Sequence, residues 1–137
     1  MASRAEALAT SAHHGQTDKA GKPYIEHPRR VAAKLESSEA KTVAWLHDVL
    51  EDTDISEAEL REGFPDDVVD AVVALTKRPG QPTAEYYAQV RTRPLARQVK
   101  HADIHDNLDP LRMALLDEAT FERFATKYGK AIMEILG

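Results

Sequence analysis

The sequence contains no cysteine, so disulfide bridges and thiolate metal ligands are excluded. No apolar run approaches the roughly 18–20 residues that a membrane-spanning helix needs. The first fifteen residues lack the long apolar segment of a signal peptide and include Glu6. These absences predict a globular protein that is neither membrane-bound nor secreted, and we expect a cytoplasmic location.

A basic surplus is also missing, because 18 Lys and Arg stand against 23 Asp and Glu for a net charge of −5. Proteins that bind nucleic acid polymers usually carry a basic excess or stripe, so a polymer is not the expected partner. Two basic clusters are present, at residues 26–30 and 90–100. Local clusters in an acidic protein favour a small anionic ligand, because they focus the field at one place.

The chain of 137 residues is 42% hydrophobic, which suits one globular domain over residues 1–137. Apolar residues recur with helical spacing nearly throughout, and no alternating run demands a sheet. We therefore predict an all-α bundle of about six to eight helices. Ser56 and Glu59 form a capping-box pattern, and Ser38 is expected to cap a helix that runs through Thr53.

That last helix carries an unusual set of charges in the stretch WLHDVLEDT, residues 45–53. On a helix, His47 stacks on Glu51 and Asp48 stacks on Asp52, which gives a polar face without lysine or arginine. Such a face is either solvated with a chance histidine, or it holds a divalent cation at the rim of the core. Charged side chains beside a core are unfavourable unless water or an opposite charge, such as a cation, compensates them.

Two further candidate ligands lie elsewhere in the chain. His27 stands at a loop-to-helix junction beside Pro28, and Asp103 lies on a predicted helix with Asn107 one turn beyond it. Two imidazoles and two carboxylates suit Mn, Fe or Zn better than Ca, and leave positions open for water. Spacing alone does not determine whether these four side chains meet.

Four blocks occur in a characteristic order: AHHGQ at 12–16, GKPYIEHP at 21–28, WLHDVLEDT at 45–53 and VKHADIHDN at 99–107. Together they resemble HD-domain phosphohydrolases, and more narrowly the hydrolase domain of alarmone synthetase-hydrolases and their stand-alone small relatives. The resemblance implies a helical HD-domain fold. It also implies a metal-dependent hydrolase that removes the 3′-pyrophosphate from guanosine tetra- or pentaphosphate (ppGpp or pppGpp).

The resemblance further implies roles for individual residues. Glu51 and Asp52 match the acidic pair that activates and positions water, and the family ion is usually Mn²⁺. The residues that match the family's metal ligands are His27, His47, Asp48 and Asp103. The residues expected near the substrate are Lys19, Lys22, Tyr24 and Asn107, although packing explains Tyr24 equally well. Further candidate phosphate contacts are Arg91, Arg93, Arg97 and Lys100.

The chain departs from the family pattern at Asp18, Ala20, Ile104 and Asp106, which leaves guanine selectivity open. One alternative is the same chemistry on another nucleotide, such as a nucleoside monophosphate or an adenosine-based alarmone. A second alternative is a non-catalytic sensor, although such a protein has no need for Glu51 and Asp52. The apolar residues of the last helix, including Phe124 and Tyr128, are predicted to be core or a homo-oligomer surface.

Overall fold

A computed structural model describes residues 1–136. Gly137, the last residue of the predicted domain, lies outside the described residues. The helices are α1 (Ala2–Ala12), α2 (Glu26–Ala33), α3 (Ser38–Leu46), α4 (Val49–Asp52), α5 (Glu57–Gly63), α6 (Asp66–Ala74), α7 (Thr83–Arg91), α8 (Pro94–Asn107), α9 (Pro110–Met113) and α10 (Glu118–Leu136). These residues contain no strand, and Thr17 and Pro23 form one isolated β-bridge.

The predicted all-α fold class is confirmed, but two short helices raise the number above the expected six to eight. One of them is α9, a four-residue helix that the sequence pattern did not indicate. The other is α4, which arises because the helix predicted through Thr53 is interrupted at His47 and Asp48. This interruption separates a buried histidine from the exposed acids that follow it.

Side-chain caps determine where several helices begin. The predicted capping box is confirmed, since the Ser56 hydroxyl accepts from the Glu59 N–H and the Glu59 carboxylate accepts from the Ser56 N–H. The predicted cap of α3 is wrong by one residue: the Ser37 side chain, not that of Ser38, accepts from the Ala40 N–H. Ser38 instead takes the first helical position.

Helix α3 is the centre of the bundle and contacts α1, α2, α6 and α8. Val43, Ala44 and Leu46 are fully buried, and Trp45 is nearly so. Burying a side chain of the size of Val43 or Leu46 contributes about 1.5–3 kcal/mol to the free energy of unfolding. Because α3 packs against both α2 and α8, its last residues lie where side chains from these two helices meet.

The last helix, α10, packs against α7 and α8. Ala131 and Ile135 are buried there. Tyr128 is half-buried and packs against the core as predicted, whereas Phe124 is half-buried without being part of the core, and both side chains also line a cavity. Helical spacing shows that residues share a face, but it does not show whether that face meets protein or an open pocket.

Candidate metal centre

Three buried side chains from three helices converge at the centre of the molecule. His27 lies in the first turn of α2, His47 directly follows α3, and Asp103 lies in α8. Each offers a ligand atom, and these three atoms all lie within 4.8 Å of one another. Asp48 joins them, since its Oδ2 is 3.1 Å from His47 Nε2. The structure therefore brings together the four side chains expected to be metal ligands.

Contacts within this group are short. His27 Nε2 is 2.8 Å from Asp103 Oδ1, and His47 Nε2 is 3.6 Å from the same oxygen. Side chains at 27 and 103 are separated by 76 positions in the chain. Only the packing of α2 against α8 puts them in contact. The group is a His/Asp site of the kind that holds a divalent metal.

The hydrogen bonding of His47 indicates which of its nitrogens faces the site. Its Nδ1 lies 2.6 Å from the backbone oxygen of Ala44, so this nitrogen donates its proton to the carbonyl. Its Nε2 is buried and has no hydrogen-bond partner among the described residues, although two carboxylates face it. Two carboxylates beside this nitrogen favour a cation at the same place, and two imidazoles with two carboxylates are a donor set that fits a divalent metal.

The pKa shifts in this group also indicate that positive charge is needed beside its carboxylates. Burial alone lowers the pKa of His47, but the negative charges of Asp48 and Asp103 outweigh it and raise this pKa well above its usual value. Burial likewise opposes the ionised form of Asp103, but Lys100 and the two histidines hold its pKa well below the usual range. The carboxylates stay charged, and positive charge must balance them.

Asp106 orients His27 from behind, a role that sequence reasoning missed. Its Oδ2 is 2.7 Å from His27 Nδ1, and its carboxylate also accepts from Arg30 Nε at 2.8 Å and Arg112 Nη1 at 3.3 Å. Burial raises the pKa of Asp106, but the hydrogen bonds from His27 and Arg30 bring it below the usual value. This carboxylate holds the proton on Nδ1 and directs Nε2 to the site.

Asp106→Asn is expected to weaken binding of Mn²⁺ by about 10- to 100-fold, the range typical of partners that orient a metal-binding histidine. An amide keeps the shape but loses the charge that holds the His27 proton. Calorimetric titration with Mn²⁺ measures the effect, and Asp54→Asn, an exposed change nearby, is the control. Equal affinities for the two variants would show that Asp106 does not position the imidazole.

A second acidic group borders the first. Asp48, Glu51 and Asp52 offer oxygens within 4.8 Å of one another, and both Glu51 and Asp52 are exposed. Glu51 Oε1 accepts from the backbone N–H of Lys77 at 2.8 Å. Gln16 donates to the backbone oxygen of Asp52 at 3.0 Å. Partial burial and the charge of Asp48 raise the pKa of Asp52, which makes its carboxylate a better proton acceptor.

Both acidic groups open into a cavity of about 910 Å³, within the range of small-molecule sites. Of the residues expected near a substrate, Lys19, Tyr24 and Asn107 line it and Lys22 does not. The Tyr24 hydroxyl donates to Asp48 Oδ2, and Asn107 Nδ2 donates to Asp103 Oδ1 at 3.1 Å. Tyr24 and Asn107 therefore contact the carboxylates of Asp48 and Asp103 as well as the cavity.

Comparison with known proteins relates this site to a family. The family model described as the HD domain matches residues 5–116. The chain belongs to the HD domain family. All four candidate ligands of this HD domain lie within the matched residues, whereas α10 lies beyond them.

Curated relatives resemble this HD domain over about half of its length. A guanosine-3′,5′-bis(diphosphate) 3′-pyrophosphohydrolase of Haemophilus influenzae is 40% identical over 74 residues, 51% of this chain. A protein of the same name from Aquifex aeolicus is 42% identical over 78 residues, 54% of this chain. The aligned part spans only 11% of each of these relatives.

A solved structure shares the fold of this HD domain. It is described as a metazoan ortholog of SpoT that hydrolyzes ppGpp, and it superposes with a TM-score of 0.82 at 23% identity. The match covers 99% of this chain and 85% of the other. No helix within residues 1–136 of the HD domain is long and apolar enough to cross a bilayer.

The departures from the family pattern occupy distinct places in this HD domain. Asp18 organises the loop before α2, because its Oδ1 accepts from the N–H groups of Ala20 and Lys22 at 2.9 and 3.0 Å. Its Oδ2 pairs with Arg112 at 3.3 Å. Ile104 is fully buried in the core. Asp18 and Ala20 both line the cavity, so these two changes alter the surface that a substrate meets.

Several basic side chains that line the cavity were not among the phosphate contacts predicted from the sequence. Lys100 lines the cavity as expected, but Arg91 and Arg93 do not, and they lie near Glu134 and Asp70 at 3.6 and 3.8 Å. Arg97 is also outside the lining. The cations that line it without having been expected there are Lys77, Arg112, Lys127 and Lys130. Lys77, Arg112 and the two lysines of α10 come from three separate parts of the chain, so no local sequence signal groups them.

Proposed function

We propose that this HD domain is a metal-dependent phosphohydrolase that removes the 3′-pyrophosphate from ppGpp and pppGpp. The observation that carries the proposal is the place of His47 Nε2 beside a ligand-sized cavity. This buried nitrogen faces two carboxylates and has no hydrogen-bond partner within residues 1–136. The family match and the names of the bacterial relatives support the choice of reaction.

In this proposal the residues that hold the ion are His27, His47, Asp48 and Asp103. Manganese is the proposed ion, with iron or zinc as alternatives for the same mixed nitrogen and oxygen donors. When bound, a divalent ion supplies the positive charge that acidifies water and neutralises phosphoryl oxygens. The Tyr24 hydroxyl and the Asn107 amide keep two of the ligating carboxylates in place through their hydrogen bonds.

The two acids of α4 have different proposed tasks. Asp52 accepts a proton from the attacking water at its carboxylate, and Glu51, held by the Lys77 N–H, orients that water. The water oxygen bonds to the phosphorus next to the ribose, and the bond from that phosphorus to the 3′ oxygen breaks. The 3′ oxygen takes a proton from solvent, and exposed Asp52 releases its proton to solvent. Positioned proton transfer of this kind contributes about 10²–10⁴-fold in rate.

The proposed substrate contacts are Lys19, Tyr24 and Asn107, which line the cavity. Lys22 contributes positive charge from the adjacent loop. The proposed partner is a small nucleotide, not a nucleic acid polymer or a membrane. A single domain over residues 1–137, a homo-oligomer and a cytoplasmic location stay predictions from the sequence.

A different nucleotide is the second candidate substrate, because Asp18, one of the departures from the family pattern, lines the cavity and pairs with Arg112. This arrangement alters the electrostatics of the cavity wall. The same metal and acids would then act on a nucleoside monophosphate or an adenosine-based alarmone.

Turnover of a nucleotide panel with Mn²⁺ tests the proposal. We expect the protein to convert ppGpp to GDP and pyrophosphate, to lose activity with EDTA, and to recover it when Mn²⁺ is restored. Release of inorganic phosphate from a monophosphate, with ppGpp left intact, would favour the second candidate. Tight binding of Mn²⁺ and nucleotide without any product would indicate a sensor instead of an enzyme.

A further inference from the structure

Helix α10 forms a wall of the cavity although it lies beyond the residues that match the HD domain family. Ala131 and Ile135 anchor it in the core. Arg91 of α7 fastens its end, since Nη1 donates to the Glu134 backbone oxygen at 2.7 Å. The wall is therefore held by packing and hydrogen bonds, and its side chains can select among ligands.

One face of α10 points into the cavity. The residues of α10 that line the cavity are Phe124, Lys127, Tyr128, Lys130, Ala131 and Glu134. Lys127 and Lys130 are three positions apart and therefore neighbours on the helix surface. The Lys127 ammonium lies 5.2 Å from the centre of the Tyr128 ring, so an aromatic surface and a positive charge adjoin.

The charges of this face are unequal. Glu134 pairs with Arg91, with Oε2 3.6 Å from Nη1, so its charge is already balanced. Within residues 1–136, neither Lys127 nor Lys130 has a carboxylate within ion-pair distance. Burial and the nearby ammonium groups of Lys100 and Lys77 lower the pKa of Lys127. Positive charge thus accumulates on this side of the cavity.

We propose that Lys127 and Lys130 form an anion subsite that holds the phosphate group of the substrate that is not cleaved. This inference rests on the proposed function and adds two specificity-determining residues, which distinguish a nucleotide phosphorylated at two positions from one phosphorylated only at the 3′ position. One phosphate group lies at the histidine and aspartate cluster, and the other lies against α10. A nucleotide phosphorylated at a single position can occupy either the histidine and aspartate cluster or the lysine subsite, but not both.

The test compares ppGpp with guanosine 3′-diphosphate, which has the 3′ group to be cleaved but a free 5′ hydroxyl. The variants are K127Q/K130Q, which removes both charges, and K127R/K130R, which keeps them. The control is K34Q, an exposed lysine after α2 outside the cavity. We expect the native protein to show a lower KM for ppGpp than for guanosine 3′-diphosphate.

In K127Q/K130Q the KM for ppGpp is expected to rise by about 10- to 100-fold, the loss of two charge-assisted contacts, with little change for guanosine 3′-diphosphate. K127R/K130R and K34Q are expected to keep the native preference, and Mn²⁺ affinity is expected to stay the same in all variants. An equal rise for both ligands, or no rise, would overturn the subsite while leaving the proposed reaction intact.

Binding separates failure of the subsite from failure of the proposed function. If no nucleotide is turned over, the same ligands are titrated calorimetrically into the Mn²⁺-loaded proteins. Tighter binding of ppGpp than of guanosine 3′-diphosphate, lost only in K127Q/K130Q, would support the subsite even though the reaction is wrong. Equal binding of both ligands to all variants would overturn it.

Discussion

Asp48→Ala is expected to abolish both Mn²⁺ binding and turnover. The change removes the oxygen 3.1 Å from His47 Nε2 and the acceptor of the Tyr24 hydroxyl. Removing a residue that only hydrogen-bonds to a metal ligand typically lowers metal affinity by about 10- to 100-fold. Removing a ligand itself should therefore lower the affinity for Mn²⁺ by more than about 100-fold. Loss of the ion's charge stabilisation, several kcal/mol, corresponds to roughly a thousandfold or more in rate.

Calorimetric titration with Mn²⁺ and product analysis with ppGpp measure these two losses. Asp54→Ala is the matched control, since Asp54 is an exposed aspartate shortly after α4. Thermal unfolding of metal-free protein shows whether the Asp48 variant still folds. Native affinity for Mn²⁺ in a folded Asp48→Ala protein would remove Asp48 from the ligand set.

Asp52→Asn is expected to spare Mn²⁺ binding and to lower kcat by about 10²–10⁴-fold, the usual contribution of a positioned general base. Asp52 is exposed at the cavity and is not in the buried histidine cluster. The amide has nearly the same shape but cannot take a proton from water. A loss of kcat at unchanged Mn²⁺ affinity therefore separates proton transfer from metal binding.

Glu51→Gln is the informative companion, because Glu51 accepts a backbone hydrogen bond that an amide oxygen can also accept. We expect a smaller loss of kcat than for Asp52→Asn. Asp54→Asn serves as the exposed control. If Asp52→Asn turned over ppGpp at the native rate, the assignment of Asp52 as the base would be wrong and Glu51 would become the candidate.

The all-α class and the positions of most helices could be predicted from residue spacing and capping patterns within short segments. Alternation of apolar and polar residues at helical spacing indicated the all-α class, and the capping box at Ser56 marked the start of α5. The interruption after Leu46 was not predicted, because residues 45–53 look continuous by local spacing. There the structure separates His47, which is buried in the site, from exposed Glu51 and Asp52.

The roles of Asp106 and α10 were hidden for a different reason. Asp106 appeared only as a departure from a pattern, yet its carboxylate accepts from Arg30, Arg112 and His27, which belong to other helices. Nothing in the local sequence marked Lys127 and Lys130 as cavity residues. Their place in the cavity depends on how α10 packs against α7 and α8.

The sequence by itself determined the helical class and the acidic character of the segment after α3, because these depend on backbone hydrogen bonds and spacing within one element. The order of the four motif blocks indicated the candidate ligands. Tertiary structure alone decided that His27 meets Asp103 across 76 positions, that Asp106 supports His27, and that α10 lines the cavity. Such contacts depend on which apolar faces pack together, and local spacing does not contain that information.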